Sequence, residues 1–295
     1  MINAQLVKEL REMTGAGMMD CKKALVATNG NIDEAVTWLR ENGIAKAVKK
    51  VDRIAAEGVC AIAIKGNDAV VYEVNSETDF VAKNQQFKDL ANQIGEALLT
   101  KKVNSDEEAL EVEYNGQKVA DLLVNATATI GEKITLRRVK QFTKEDDQVF
   151  GAYSHMNGKI ASFAILQGAN AEVAKDVCMH VAAMSPRYLN VDAVDPETVA
   201  KETEIFRQEA LNENAEAAKP KPEAIIEKMV AGRVQKYLKE ICLENQQFVK
   251  NPDLTVEQYV SNAKGKILTY IRLEVGEGIE KRKDDFAAEV MAAIN

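Results

Sequence analysis

Residues able to carry covalent or metal chemistry are sparse in this chain of 295. Four cysteines (Cys21, Cys60, Cys178, Cys242) stand far apart with no CxxC pair, and there are two histidines, His155 and His180. A zinc site needs ligands paired at short spacing, so no metal site is expected and the thiols read as isolated reduced core residues. Gly15-Ala16-Gly17 is the one candidate phosphate loop, but no strand pattern precedes it and no Gly-Lys-Ser/Thr follows. No GxSxG elbow or HExxH pair occurs. Asp and Glu together number 46, yet they read as solvated helix faces and no pair stands out for acid–base work. The expectation is a protein that is not an enzyme and has no catalytic residue, cofactor or metal. An enzyme working through carboxylates is the rival reading.

One stretch breaks the pattern. Glu73-Val74-Asn75-Ser76-Glu77-Thr78-Asp79-Phe80-Val81-Ala82-Lys83-Asn84 sets Phe80 and Val81 among polar residues, where a strand pattern hands over to a helical one. In one reading Thr78 or Asp79 caps the helix and Phe80 tucks beneath the preceding hairpin. In the other Phe80 stands exposed as a wedge, with Asp79 beside it to pair with a partner's polar group. Aromatic anchors that fill a partner's pocket dominate binding hot spots, so this second reading points to a protein–protein contact.

Composition narrows the setting. Hydrophobic residues make up 46%, charged residues 28% and aromatics 5%, so a soluble core must be built from Val, Ile, Leu and Ala. The net charge of -8 argues against direct nucleic-acid binding, whose affinity comes from basic contacts to phosphate. The N-terminus lacks the apolar run of a signal peptide, and no stretch approaches the ~20 apolar residues that span a bilayer. A cytoplasmic protein with no membrane contact is expected.

The elements that must position the loop follow from periodicity. Residues 1–54 read as a three-helix module: Ile2, Leu6, Leu10 and Met13 form one stripe, Met18, Cys21 and Leu25 a second, and Ile32, Ala35, Val36 and Leu39 a third. Asn31 with Glu34 gives a capping-box-like start to the third helix. The run Lys46 to Arg53 reads as a solvated helical linker, or else a strip contacting phosphate. Residues 55–142 then change period. Val59–Ile64 and Ala69–Val74 flank a turn-rich loop, a helix carries Phe87, Leu90, Ile94 and Leu98, and Lys133–Val139 closes as a strand. Residues 143–278 repeat the order, with a hairpin across Asn157-Gly158, a helix ended by Ser185-Pro186, and Lys266–Leu273 as the closing strand. An insertion at about 191–228 reads as two antiparallel helices. Either they project and bury their stripe by self-association, or they fold back on their own core. Residues 279–295 read as a terminal helix with Phe286, Val290 and Ile294 in line. The fold class is α+β.

Two stretches, Leu10 to Leu25 and Glu73 to Lys83, resemble the signatures of bacterial elongation factor Ts. The likeness continues through His180-Val181-Ala182-Ala183, Ile226 to Val230 and Glu274 to Glu280. That family binds elongation factor Tu, the GTPase that delivers aminoacyl-tRNA, and speeds release of its GDP. The resemblance implies that Thr78, Asp79, Phe80 and Val81 enter the GTPase near its magnesium. It further implies partner contacts at Ile130, Gly131, His155 and Phe286. It makes the N-terminal module ubiquitin-associated-like, the insertion a coiled-coil arm and the terminal helix a docking element. A non-catalytic acidic scaffold or holdase-type binding module is the alternative.

Overall fold

A computed structural model describes residues 3–280. Phe286 and nearly all of the expected terminal helix (residues 281–295) lie outside the described residues. The chain divides into two compact units. The first takes the chain up to Thr143, Ser154–Ala161 and the chain from Leu273 on; the second takes Lys144–Tyr153 and Ser162–Arg272.

The first unit opens with α1 (Ala4–Thr14), α2 (Met18–Ala27) and α3 (Ile32–Val48). Asn3 caps α1 by accepting the Leu6 N–H at 2.8 Å. Gly15, at φ 66°, ends the helix by returning its N–H to the Arg11 carbonyl, a left-handed stop that glycine adopts without strain. Asn31 caps α3 by accepting the Glu34 N–H at 3.2 Å, while its own amide donates to the Glu34 carboxylate at 2.8 Å. The module's small core is Leu10, Cys21, Ala24, Leu25 and Ala35.

Next come β1 (Glu57–Lys65) and β2 (Asp68–Ser76), antiparallel and in unbroken register across the turn at Gly66-Asn67. Helices α4 (Asp79–Lys83), α5 (Gln85–Leu98) and α6 (Asp106–Leu110) follow, then the ribbon β3 (Glu113–Tyr114) and β4 (Gln117–Lys118). Helix α7 (Val119–Ile130) leads into β5 (Thr135–Thr143), which pairs with β2 to give the order β1-β2-β5. Phe87, Ile94, Ala97 and Leu98 of α5 share one buried cluster with Val70, Tyr72 and Val74 of β2. The buried Tyr72 hydroxyl is satisfied by donating to the Ala91 carbonyl at 2.8 Å.

Glu73 is fully buried on this sheet. Its carboxylate meets Arg138 Nε at 2.8 Å and Arg137 Nε at 3.3 Å, and accepts the Gly276 N–H at 2.7 Å. Pairing and hydrogen bonding together are what make a buried charge tolerable. Arg138 has φ 54° near the point where the β2–β5 register shifts, and the Asp106 carboxylate accepts the N–H groups of Arg138 and Val139 at 2.8 Å each.

The second unit repeats this connectivity. β6 (Gln148–His155) and β7 (Ile160–Gln167) form a hairpin turned by Met156–Gly158, with Asn157 at φ 56° and Gly158 at φ 89°. Helix α8 (Ala171–Met184) stops at Ser185, φ 49°. The arm helices α9 (Pro196–Ala215) and α10 (Glu223–Ile241) come next, so α10 runs well past Lys228. Then follow β8 (Gln247–Phe248), β9 (Asn251–Thr255), α11 (Val256–Asn262) and β10 (Lys266–Glu274). β10 lies beside β7, giving β10-β7-β6, just as β5 lies beside β2. The arm helices bury Ala210, Ile226 and Val230 in a cluster of their own, flanked by Arg207–Glu227 at 2.9 Å and Arg233–Glu213 at 2.6 Å.

Candidate functional site

The Thr78–Val81 loop is built from the end of β2 and the start of α4. Thr78 is the N-cap of α4, its hydroxyl accepting the Val81 N–H at 3.4 Å. Ser76 Oγ donates to the Thr78 carbonyl at 2.9 Å. Asn84 ends α4 and starts α5, its side chain accepting the Gln86 N–H at 2.9 Å. Within this frame Ala82 is buried and Val81 packs against the core of the unit. Phe80 does the opposite: it is 80% exposed. Thr78 is therefore the cap, and of the two readings of Phe80 the one that tucks it under the hairpin is excluded. The inward places of a five-residue helix are taken by Val81 and Ala82, and Phe80 lies on the other side.

Asp79 sits next to the exposed ring and is held by Lys83 one turn on, Nζ to Oδ2 at 2.6 Å. That hydrogen bond keeps the Asp79 carboxyl below its usual pKa, so it is a fixed negative charge at neutral pH. Lys83 Nζ also lies 6.0 Å from the Phe80 ring centroid. The loop thus presents an apolar ring, an anion and a cation within one turn.

Ile130 and Gly131 lie at the end of α7, Ile130 packed on the core and Gly131 (φ 89°) closing the helix through its N–H to the Thr127 carbonyl. Glu132, the next residue, reaches the loop directly. Its Oε2 accepts the N–H of Glu77 at 3.0 Å and of Thr78 at 2.9 Å, and its Oε1 accepts the Thr78 hydroxyl at 2.7 Å. In return Glu77 Oε1 accepts the Lys133 N–H at 2.6 Å. The basic run joins the same knot. Lys50 Nζ donates to the Gly131 carbonyl, Arg53 pairs with Glu77 at 3.3 Å, and Lys133 Nζ donates to the carbonyls of Val51 at 2.5 Å and Arg53 at 3.0 Å. The run is therefore not a solvated helical linker throughout: α3 ends at Val48, and the residues beyond it are bonded to the loop's support.

Glu132, Glu77, Lys50 and Arg53 were not legible as site residues. Their partners lie 24 to 81 positions away in sequence, beyond any local spacing rule. His155 lies exposed at the end of β6, on the hairpin tip whose Lys159 pairs with Glu57 of β1.

The remaining reactive groups are enclosed. All four cysteines are buried and free, and burial together with the nearby Glu73 pushes the Cys60 thiol up to about 12. In the second unit His180 is buried, with Nδ1 accepting the Val249 N–H at 3.2 Å and Nε2 at 2.8 Å from Gln246 Oε1. That pair of contacts fixes the neutral tautomer with its proton on Nε2, and burial lowers the pKa. Among the described residues no group of three His, Cys, Asp or Glu could hold a metal ion, and no helix is long and apolar enough to cross a membrane.

A helical module, a hairpin–helix–strand architecture used twice and an anchored loop with an outward aromatic define an α+β protein. A family model described as elongation factor TS matches residues 77–277, and one described as UBA/TS-N domain matches residues 2–39. An elongation factor Ts of Acholeplasma laidlawii (strain PG-8A) is 52% identical over 295 residues, covering 100% of this chain and 99% of that protein. The chain belongs to the elongation factor Ts family.

Proposed function

We propose that the chain is a guanine nucleotide exchange factor that binds elongation factor Tu in its GDP form and promotes GDP release during translation elongation in the cytoplasm. The observation that carries this reading is Phe80, 80% exposed on a loop whose every neighbouring element is capped or bonded. An apolar ring held out in water by a rigid frame is suited to insertion into a partner.

Thr78 fixes the loop's entry, Val81 roots it in the core, and Phe80 enters the GTPase beside the magnesium that neutralises the nucleotide phosphates. Asp79 pairs with a polar group exposed by that entry. Displacing the magnesium weakens GDP binding, and by reciprocity GDP weakens binding of the factor by the same ratio. Each tenfold gain in release requires ~1.4 kcal/mol of such coupling, so the loop acts with contacts at Ile130, Gly131, His155 and Phe286. No bond is made or broken, and the reaction needs no acid, base or nucleophile from this chain.

The test is release of fluorescent GDP from elongation factor Tu followed by stopped flow, with and without the protein. Acceleration supports the reading. Release at the same rate with and without the protein refutes it and returns the acidic-scaffold alternative.

A further inference from the structure

We infer that Glu132 is a positioning residue for the Thr78–Val81 loop; the inference deepens the exchange-factor reading and rests on it. The N–H groups of Glu77 and Thr78 fall after β2 has ended at Ser76 and before α4 begins at Asp79, so neither ladder nor helix supplies them an acceptor. One carboxylate takes both, at 3.0 and 2.9 Å, and adds the Thr78 hydroxyl at 2.7 Å. The same hydroxyl caps α4 by accepting the Val81 N–H. A single anchor therefore fixes the backbone entering the loop and the start of the helix that aims Phe80.

Hydrogen bonds to an ionised acceptor are the stronger kind. Without Glu132 the two donors turn to water and the loop samples other conformations. Its ordering then falls to the step in which it enters the partner, and that step slows. Glu77 reciprocates through the Lys133 N–H, so the strand–helix junction and the end of α7 hold one another.

The experiment uses full-length Glu132→Ala and Glu132→Gln and measures GDP release from elongation factor Tu over a range of factor concentrations. Glu132→Ala is expected to lower the maximal release rate about tenfold or more, where tenfold equals ~1.4 kcal/mol. Glu132→Gln keeps a carbonyl oxygen for the two N–H groups and restores most of the rate. A purely stabilising role would lower the melting temperature and leave the maximal rate of the folded variant unchanged. Parent-like maximal rates for Glu132→Ala overturn the inference while leaving the exchange-factor reading intact, provided the parent itself accelerates release.

Amide hydrogen exchange judges the anchor independently of any exchange activity, and of whether Glu132→Ala folds, because Glu132→Asp, which draws the accepting carboxylate back by one methylene, serves as a second variant. Protection of the Glu77 and Thr78 amides is expected in the parent and is lost in either variant, with β1 and β2 unchanged. Equal protection in parent and variants overturns the inference.

Discussion

Truncating Phe80 to alanine separates what the loop does from what holds the fold. A phenylalanine side chain offers ~200 Å² of surface, of which the exposed four-fifths is about 160 Å². Burying that area in a partner contributes ~4 kcal/mol at ~25 cal/mol/Å². Ordering the ring and its surroundings offsets about 1 kcal/mol. The remaining ~3 kcal/mol predicts a fall of about a hundredfold in the efficiency of GDP release from elongation factor Tu, read by stopped flow. Stability should stay within about 0.5 kcal/mol of the parent, as for other exposed positions. Had the ring been packed beneath the hairpin, the same change would cost ~3–5 kcal/mol of stability. A Phe80→Ala protein that melts far below the parent refutes the exposed geometry. One that exchanges as fast as the parent refutes the wedge.

Glu73→Ala leaves Arg138 without its buried partner and the Gly276 N–H without an acceptor, and should cost ~3–5 kcal/mol in urea unfolding; a loss under 1 kcal/mol would show that the pair is dispensable. Gly95→Ala would drive a methyl group into the Tyr72 hydroxyl and to 3.0 Å from the Ala63 Cβ, at a cost of ~1–3 kcal/mol, part of which Tyr72→Phe should recover in the double variant. His180 has a folded-state pKa below its unfolded value, so its contribution is present above about pH 6.5 and is lost as pH falls toward the folded pKa. Melting temperature should therefore fall between about pH 7 and 5, and fall less in His180→Asn; identical slopes would exclude His180 as the titrating group.

Much of the fold is legible because its signals are local. The hairpins show alternating apolar runs around Gly66 and Asn157-Gly158, and the caps at Asn31, Thr78 and Ser105 sit at the head of their helices. The ribbon β3–β4 turns on Asn115-Gly116, the same signal, but its strands of two residues are too short to show alternation. β8 and β9 are hidden for a similar reason, since Asn251-Pro252-Asp253 reads as a loop. For the site, the position and cap of the loop are local, whereas the direction of Phe80 is not. A ring at a strand–helix junction has the same neighbours in sequence whether it faces in or out. Its exposure goes with Val81 and Ala82 taking the inward places, and the loop's hydrogen bonds end on Glu132, which no spacing rule connects to Thr78.

The bond from Gly276 to Glu73 joins residues 203 positions apart, and Arg137 and Arg138 reach Glu277 across 140 and 139 positions. Nascent chains emerge at about 5–20 residues per second, so Glu73 waits roughly ten to forty seconds for this partner. The strands of the sheet that carries the loop are all made by Thr143, but this donor to its buried carboxylate follows only after the whole second unit. Until then the carboxylate destined for burial lacks the Gly276 N–H.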